Sequence, residues 1–242
     1  NTLFREFVRA TQLIQPKYII GENVKGLLNR KTSENKLYID IIRQSFDEIG
    51  YDIFPKVMKC SDYGIPQNRI RLIIVGIRKD LKQSYTFPEE TYEAVDLKEI
   101  VRFSMEGSLS ITETDCNDIS LIPPECILTD MENTERPTSC HPYLTSLAKQ
   151  RDYMYKEKTY PVRLNFGRRI PVGGEVIDIR KPLNTIICTY ARQPRFFVPL
   201  KNHHGFHIRT LLPDELKQVQ GFPKDYQICG NTTKKIIQIG NA

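Results

Sequence analysis

Lys17-Tyr18-Ile19-Ile20-Gly21-Glu22-Asn23-Val24-Lys25-Gly26-Leu27-Leu28 is the stretch from which the rest of this 242-residue chain can be read. Tyr18, Ile19 and Ile20 form a short apolar, partly β-branched run between Pro16 and Gly21, which suits a buried strand of a parallel sheet. Glu22 and Asn23 fall where that strand ends. In open α/β sheets the carboxyl ends of strands face the ligand crevice, so an acid and an amide there are candidates for function. A solvated loop residue or a helix cap is the plainer alternative.

Outward from this strand, Leu3, Phe4, Phe7, Val8, Thr11 and Ile14 recur at helical spacing until Pro16, predicting an amphipathic helix over 2–15. Leu37, Ile41, Ile42, Phe46 and Ile49 predict a second helix closed by Gly50. The polar segment Asn23 to Asn35 between them reads as a loop mobile enough to close over a site. Tyr51 to Lys59 is rich in strand formers, and Ile70 to Ile77 is apolar apart from Arg71, as a central strand would be. The turn-rich Ser61 to Asn68, with Gly64 and Pro66, joins them. Helix, strand, helix and two strands indicate an α/β fold, part of a doubly wound, Rossmann-like sheet whose other half is missing. No glycine-rich phosphate- or nucleoside-binding turn occurs in the first 80 residues.

Arg69 and Arg71 are two residues apart and share a strand face. Two guanidiniums on an otherwise apolar strand are costly unless something anionic or polar meets them. That partner is either internal, such as Glu22, or a phosphate or base edge.

After Lys79 the texture changes. Residues 81–160 are acid-rich with short apolar pieces such as Ile119 to Ile122 and Cys126 to Leu128. Tyr153 to Tyr155, Val162 to Phe166, Glu175 to Ile179, Thr185 to Tyr190 and Phe196 to Leu200 read as short strands of a smaller, inserted lobe. Leu212 to Gly221 reads as a helix, with Pro213 in its first turn, Asp214 and Glu215 at its positive end and Gly221 as its stop. Ile236 to Ala242 reads as a short apolar strand or turn.

The formal charge of +6 hides an asymmetry. From Glu89 to Glu135 there are 13 acids against Lys98 and Arg102; from Arg163 to Arg195 seven bases face only Glu175 and Asp178. A polyanion would be drawn to the second stretch and repelled by the first, unless both are merely solvated faces. The six cysteines (Cys60, Cys116, Cys126, Cys140, Cys188, Cys229) are scattered without a Cys-x-x-Cys pair, favouring a reducing compartment and no metal knuckle. His203, His204 and His207 are close in sequence but lack a nearby thiol or clear carboxylate, so a polar loop is the expectation and no metal is assigned. No apolar run of membrane-spanning length is present, and the chain reads as soluble.

Six strings in order resemble the C-terminal two thirds of a DNA (cytosine-5)-methyltransferase: Leu3-Phe4 with its helix; Glu22-Asn23-Val24; Gln67-Asn68-Arg69-Ile70-Arg71; Asn184-Thr185-Ile186 with Tyr190; Arg209 to Pro213 leading to Gln220-Gly221-Phe222-Pro223; and Gln238 to Ala242. The resemblance implies methyl transfer from S-adenosylmethionine to C5 of a cytosine turned out of double-stranded DNA. In such enzymes a cysteine thiolate adds to C6, and charge builds toward N3 and O2. By resemblance Glu22 serves N3 and Arg71 serves O2, with Arg69 as companion and Asn23 holding the turn. Leu3 and Asn241 match cofactor-pocket positions. Residues 1–80 and 206–242 would belong to the catalytic core and 81–205 to a target-recognition lobe facing the major groove. Arg69, Thr185, Arg168, Arg169, Arg192 and Arg195 are the expected DNA contacts.

The sequence also departs from the family's pattern. None of the six cysteines follows a proline in a Pro-Cys-Gln string, and the glycine-rich cofactor loop is absent. The resemblance therefore implies an N-terminal part, removed or carried as a complementary subunit, without which the chain would be inactive. The expected setting is intracellular: cytoplasmic in a prokaryote or virus-infected cell, nuclear in a eukaryote. The alternatives are the tRNA-methylating branch of the family and a non-catalytic DNA-binding or regulatory homologue.

Overall fold

The computed structural model describes residues 2–93, 96–111, 119–137, 152–155, 158–161, 163–167 and 173–242. It divides into two compact units, Asn1–Gly64 with Arg69–Glu93, and Ile65–Asn68 with Ala94–Ala242.

In the first unit, α1 (Thr2–Ile14) turns Phe4 and Val8 toward the core, and Phe4 and Phe7 both meet Phe46 edge-on. Strand β1 is Tyr18–Val24. Helix α2 (Tyr38–Glu48) buries Ile39, Ile42 and Phe46, one stripe at helical spacing, and Gly50 takes the left-handed conformation (φ 86°) that lets the chain turn into β2 (Tyr51–Lys59). After the two-residue β3 (Gln67–Asn68) comes β4 (Ile70–Arg78). The polar segment after Asn23 is less open than its composition suggested. The strand continues to Val24, the turn Lys25–Asn29 buries Leu27, and Lys31 bridges Leu37.

The sheet order is β1-β4-β2, with β4 in the middle as a central strand should be. The parallel reading is corrected: both pairings are antiparallel, Glu22 facing Ile73 and Tyr51 facing Arg78. The expected two-sided burial fails with it: Ile19 is 6% exposed but Tyr18 and Ile20 are 51% and 72%, which an antiparallel strand with one open face allows, and the short connection between β2 and β4 is of the length that joins antiparallel neighbours. Thus β1 and β2 share a direction but are separated by β4.

The second unit holds β5 (Leu109–Ser110), β6 (Leu128–Asp130), β7 (Asp152–Tyr155), β8 (Lys158–Pro161), β9 (Arg163–Phe166), β10 (Gly173–Val176), β11 (Leu183–Asn184), β12 (Phe196–Asn202) and β13 (Gly205–Thr210), with α3 (Pro213–Val219) and α4 (Thr232–Asn241). Its main sheet runs β5-β13-β12-β10-β9, with β6 also pairing β12. Phe197, Val198, Leu200, Ile208, Leu216, Val219 and Ile239 are among the residues closing its core, each worth about 1.5–3 kcal/mol of burial.

Two expectations fail here. Thr185 to Tyr190 is not a strand: β11 stops at Asn184 and a 3-10 turn covers Cys188–Ala191. Ile236 to Asn241 belongs to α4, with Ala242 as its C-cap, and Asn231 caps the start of the helix by accepting the Lys234 N–H at 2.9 Å. In α4, Gly240 lies against the Ile187-Cys188 backbone, where a Cβ would stand 2.5 Å from the Cys188 nitrogen.

Candidate active site

The first unit's site follows from the β1–β4 register. Val24 faces Arg71, so Glu22, two residues back on the same face, is Arg71's diagonal neighbour. Arg71 Nε lies 2.6 Å from Glu22 Oε1, the Arg71 side chain being 20% exposed and the Glu22 side chain 51%. Arg71 Nη1 also donates to the Ile70 carbonyl at 2.9 Å. Arg69 is half-buried; burial weakens its hold on its proton, the Arg71 charge adds to that effect and Glu22 opposes it. Cys60, which the sequence reading did not single out for chemistry, joins the group. Its N–H donates to the Arg69 carbonyl at 2.9 Å, and burial raises its thiol pKa against the pull of Arg69 and Arg71. Arg71 thus pairs with one half-exposed carboxylate while Arg69 feels both charges without pairing to Glu22 in a salt bridge, an arrangement with net positive charge for an anion or a negatively polarised oxygen. Asn23 closes the end of β1 by accepting the Val24 N–H through Oδ1 at 2.8 Å.

Beside this group is a cavity of about 590 Å³ whose walls include Leu3, Phe4, Phe7, Glu22, Asn23 and Phe46. It is an apolar chamber with an acid and an amide at one side, and α1, β1 and α2 supply its walls. Glu22 borders it; Arg71 is not among its lining residues. Glu22 and Arg71 therefore meet each other, but only one of them faces the chamber.

In the second unit, the remaining motif strings hold one another. Gln67 Nε2 donates to Gln220 Oε1 at 2.7 Å, and Gln220 Nε2 donates to the Ala242 carbonyl at 2.5 Å. Gly221 (φ 93°) passes so near Ile65 that a Cβ would sit 2.8 Å from its Cδ1. Thr185 Oγ1 donates to the Asn68 carbonyl at 3.2 Å. Arg209 is completely buried; its Nη2 lies 2.7 Å from Glu215 Oε1, while Nη1 donates to Glu215 Oε2 at 2.8 Å. Glu215 Oε2 also takes the Leu212 N–H, which caps α3. Asp178, buried, accepts from Arg180 Nε at 2.9 Å and Nη2 at 3.0 Å and from Cys126 Sγ at 3.3 Å. Hydrogen bonds from Arg180 hold the Asp178 carboxyl well below the usual range, while burial and Asp178 push the Cys126 thiol up to about 11.

Of the expected DNA contacts, Thr185 is half-buried, Arg192 exposed and Arg195 half-buried. Arg168 and Arg169 lie outside the described residues. Leu3 is an exposed residue of α1, and Asn241 is the exposed last residue of α4. The histidines are bound locally: His204 Nε2 to the Thr134 carbonyl, and His207 between Ser110 Oγ and Asn202 Oδ1. Among the described residues no group of three or more His, Cys, Asp or Glu side chains is placed to hold a metal ion, and no helix is long and apolar enough to cross a membrane.

The mixed α/β fold matches those of DNMT-like methyltransferase structures. A solved Escherichia coli prophage protein, described as a DNA modification methyltransferase, superposes with a TM-score of 0.59 at 18% identity, over 100% of this chain and 69% of that one. A mutant of Spodoptera frugiperda DNMT2 gives 0.57 at 13% identity, over 99% of this chain and 66% of that one. These likenesses concern the fold. The sequence profile of C-5 cytosine-specific DNA methylases matches residues 1–242, and the chain belongs to that family. It is 27% identical over 254 residues to the type II methyltransferase M.Eco47II of Escherichia coli, covering 100% of this chain and 54% of that protein. It is 27% identical to M.FnuDI of Fusobacterium nucleatum over 93% of this chain and 60% of the relative. The chain spans about half the length of the curated relatives it matches.

Proposed function

We propose that this chain supplies the base pocket and DNA-reading part of a restriction-modification type methyltransferase that transfers a methyl group to C5 of a cytosine turned out of duplex DNA. The observation that carries the reading is the 2.6 Å Glu22–Arg71 pair, half open to solvent and flanked by Arg69. In this reading Glu22, which must carry a proton once the base is bound beside it, donates a hydrogen bond to ring N3 and Arg71 donates to O2, where negative charge collects as a thiolate adds to C6. Arg69 adds positive potential, and Asn23, through its bond to the Val24 N–H, holds the end of the strand that presents Glu22. The thiolate comes from a part of the enzyme outside residues 1–242.

S-adenosylmethionine supplies the methyl group when bound. An apolar wall of Leu3 and Phe4 with Asn23 at its edge fits one side of such a molecule; the family resemblance assigns Asn241 to cofactor binding as well. Residues 1–80 and 206–242 are assigned to the catalytic core and 81–205 to target recognition, with Thr185, Arg168, Arg169, Arg192 and Arg195 contacting the DNA. The test restores the rest of the domain to this chain and measures 5-methylcytosine in duplex DNA and in tRNA by mass spectrometry. Methylation confined to duplex DNA and lost in Arg71→Ala is expected. Product confined to tRNA, or an Arg71→Ala enzyme as active as the parent, overturns the reading.

A further inference from the structure

A buried polar web in the second unit has no part in the chemistry above. Glu175 in β10 is 7% exposed, and its Oε2 accepts from Asn184 Nδ2 at 3.0 Å. The Glu175 N–H donates to the Arg195 carbonyl at 2.7 Å, so the residue is fixed at its backbone as well. Asn184 belongs to β11, which lies parallel to β3 with Leu183 facing Gln67 and Asn184 facing Asn68. Around this pairing Leu183 N–H donates to the Pro66 carbonyl at 2.9 Å, and Asn68 Nδ2 donates to the Pro182 carbonyl at 3.1 Å. Thr185 Oγ1 completes the web on the Asn68 carbonyl. A polar cavity of about 160 Å³ borders it, lined by Glu175, Asp178, Lys181, Asn184 and Asn68 among others.

Two strands of two residues each cannot set their register by backbone bonds alone. A buried carboxylate is also an expensive way to fill space, since it must be hydrogen-bonded to be tolerated. Both costs make sense if placing the β11 backbone and the residue after it matters more than packing.

We propose that Glu175 is a positioning residue: by holding Asn184 it fixes β11 against β3 and so presents Thr185 to the DNA backbone. The inference rests on the assignment of Thr185 as a DNA contact. It also accounts for Asn68, whose carbonyl anchors Thr185 and which directly precedes Arg69 in the chain.

The test compares Glu175→Ala, Glu175→Gln and Asn184→Ala in the enzyme with its whole catalytic domain, measuring KM for duplex DNA, kcat and duplex binding by fluorescence anisotropy. Loss of one buried hydrogen bond of this kind corresponds to roughly tenfold in binding. Glu175→Ala and Asn184→Ala are each expected to raise KM and weaken duplex binding about tenfold with little change in kcat, and the double variant to add nothing. Glu175→Gln keeps the acceptor oxygen and restores most of the loss. A residue that only stabilised the fold would lower kcat through the folded fraction and leave KM alone. That outcome, an unchanged KM in Glu175→Ala, or a Glu175→Gln enzyme as impaired as Glu175→Ala overturns the proposal. Failure of the base-pocket reading is seen separately, in an Arg71→Ala enzyme that methylates normally, whereas the Glu175 outcome is read in DNA binding.

Discussion

Two of the arginine–carboxylate pairs in the described residues use the same chemistry to opposite ends. In the second unit Arg209 and Glu215 are 0% and 5% exposed, and most of their remaining hydrogen-bonding capacity goes to the backbone: Arg209 donates to the Thr210 and Arg102 carbonyls, and Glu215 takes the Leu212 and Arg102 N–H groups. Arg209 Nε is left as a buried donor without a partner, a cost that the rest of the web offsets. In the first unit Arg71 and Glu22 touch at one point, and half of the Glu22 side chain faces solvent. A closed pair organises a fold. An open pair beside a second guanidinium keeps hydrogen-bonding capacity for a ligand, and this contrast, more than the presence of either pair, is the reason the chemistry is proposed for the first unit.

The contrast can be broken most directly at Arg209. Arg209→Ala leaves Glu215 charged and buried without its partner and is expected to destabilise the protein by about 3–5 kcal/mol in denaturant unfolding. A loss below about 1 kcal/mol would dissolve the distinction between the pairs.

Arg71→Ala is expected to do the reverse. Its effect on stability should stay within about 1 kcal/mol, because the pair is partly exposed, while methyl transfer in the restored domain falls about 10²–10³-fold. Gly240→Ala sharpens the structural side. The new Cβ meets backbone at Ile187 and Cys188, which cannot yield as a side-chain end would, and a loss of about 1–3 kcal/mol, read as a lower melting temperature, is expected.

Asp178 gives the comparison a pH axis. Its folded pKa is depressed by Arg180, so on acidification the unfolded chain takes up the proton first. The stability it contributes should be complete above about pH 4 and fade below it. Asp178→Asn should flatten that part of the stability–pH curve, and an unchanged acid limb would contradict the pairing. The smallest effect is expected at exposed Arg192, where Arg192→Ala should reduce the salt slope of DNA binding by about 1 without changing sequence preference.

Helices α1 and α2 and the strands at Tyr51–Lys59 and Ile70–Arg78 were legible because a stripe or a β-branched run already states which side is buried. Strand direction was not, since an apolar strand carries no mark of its partner's orientation. Ile236, Ile237 and Ile239 suggested a strand for the same reason, and the helix is decided by the Asn231 cap and by the packing that Gly240 allows. At the candidate site the Arg71–Glu22 contact was open to inference as one of two possible partners. The Cys60 neighbourhood and the Gln67–Gln220 bond, 153 residues apart in sequence, were not.

The sequence by itself determined the family, the residue types at the site and the local helices, because each of these rests on identity and spacing along the chain. Only the tertiary structure decided that the strands pair antiparallel, that Arg71 leans on Glu22 and that Glu175 holds Asn184. Those outcomes depend on which distant backbones share a register, and on which polar groups, once withdrawn from water, must find each other.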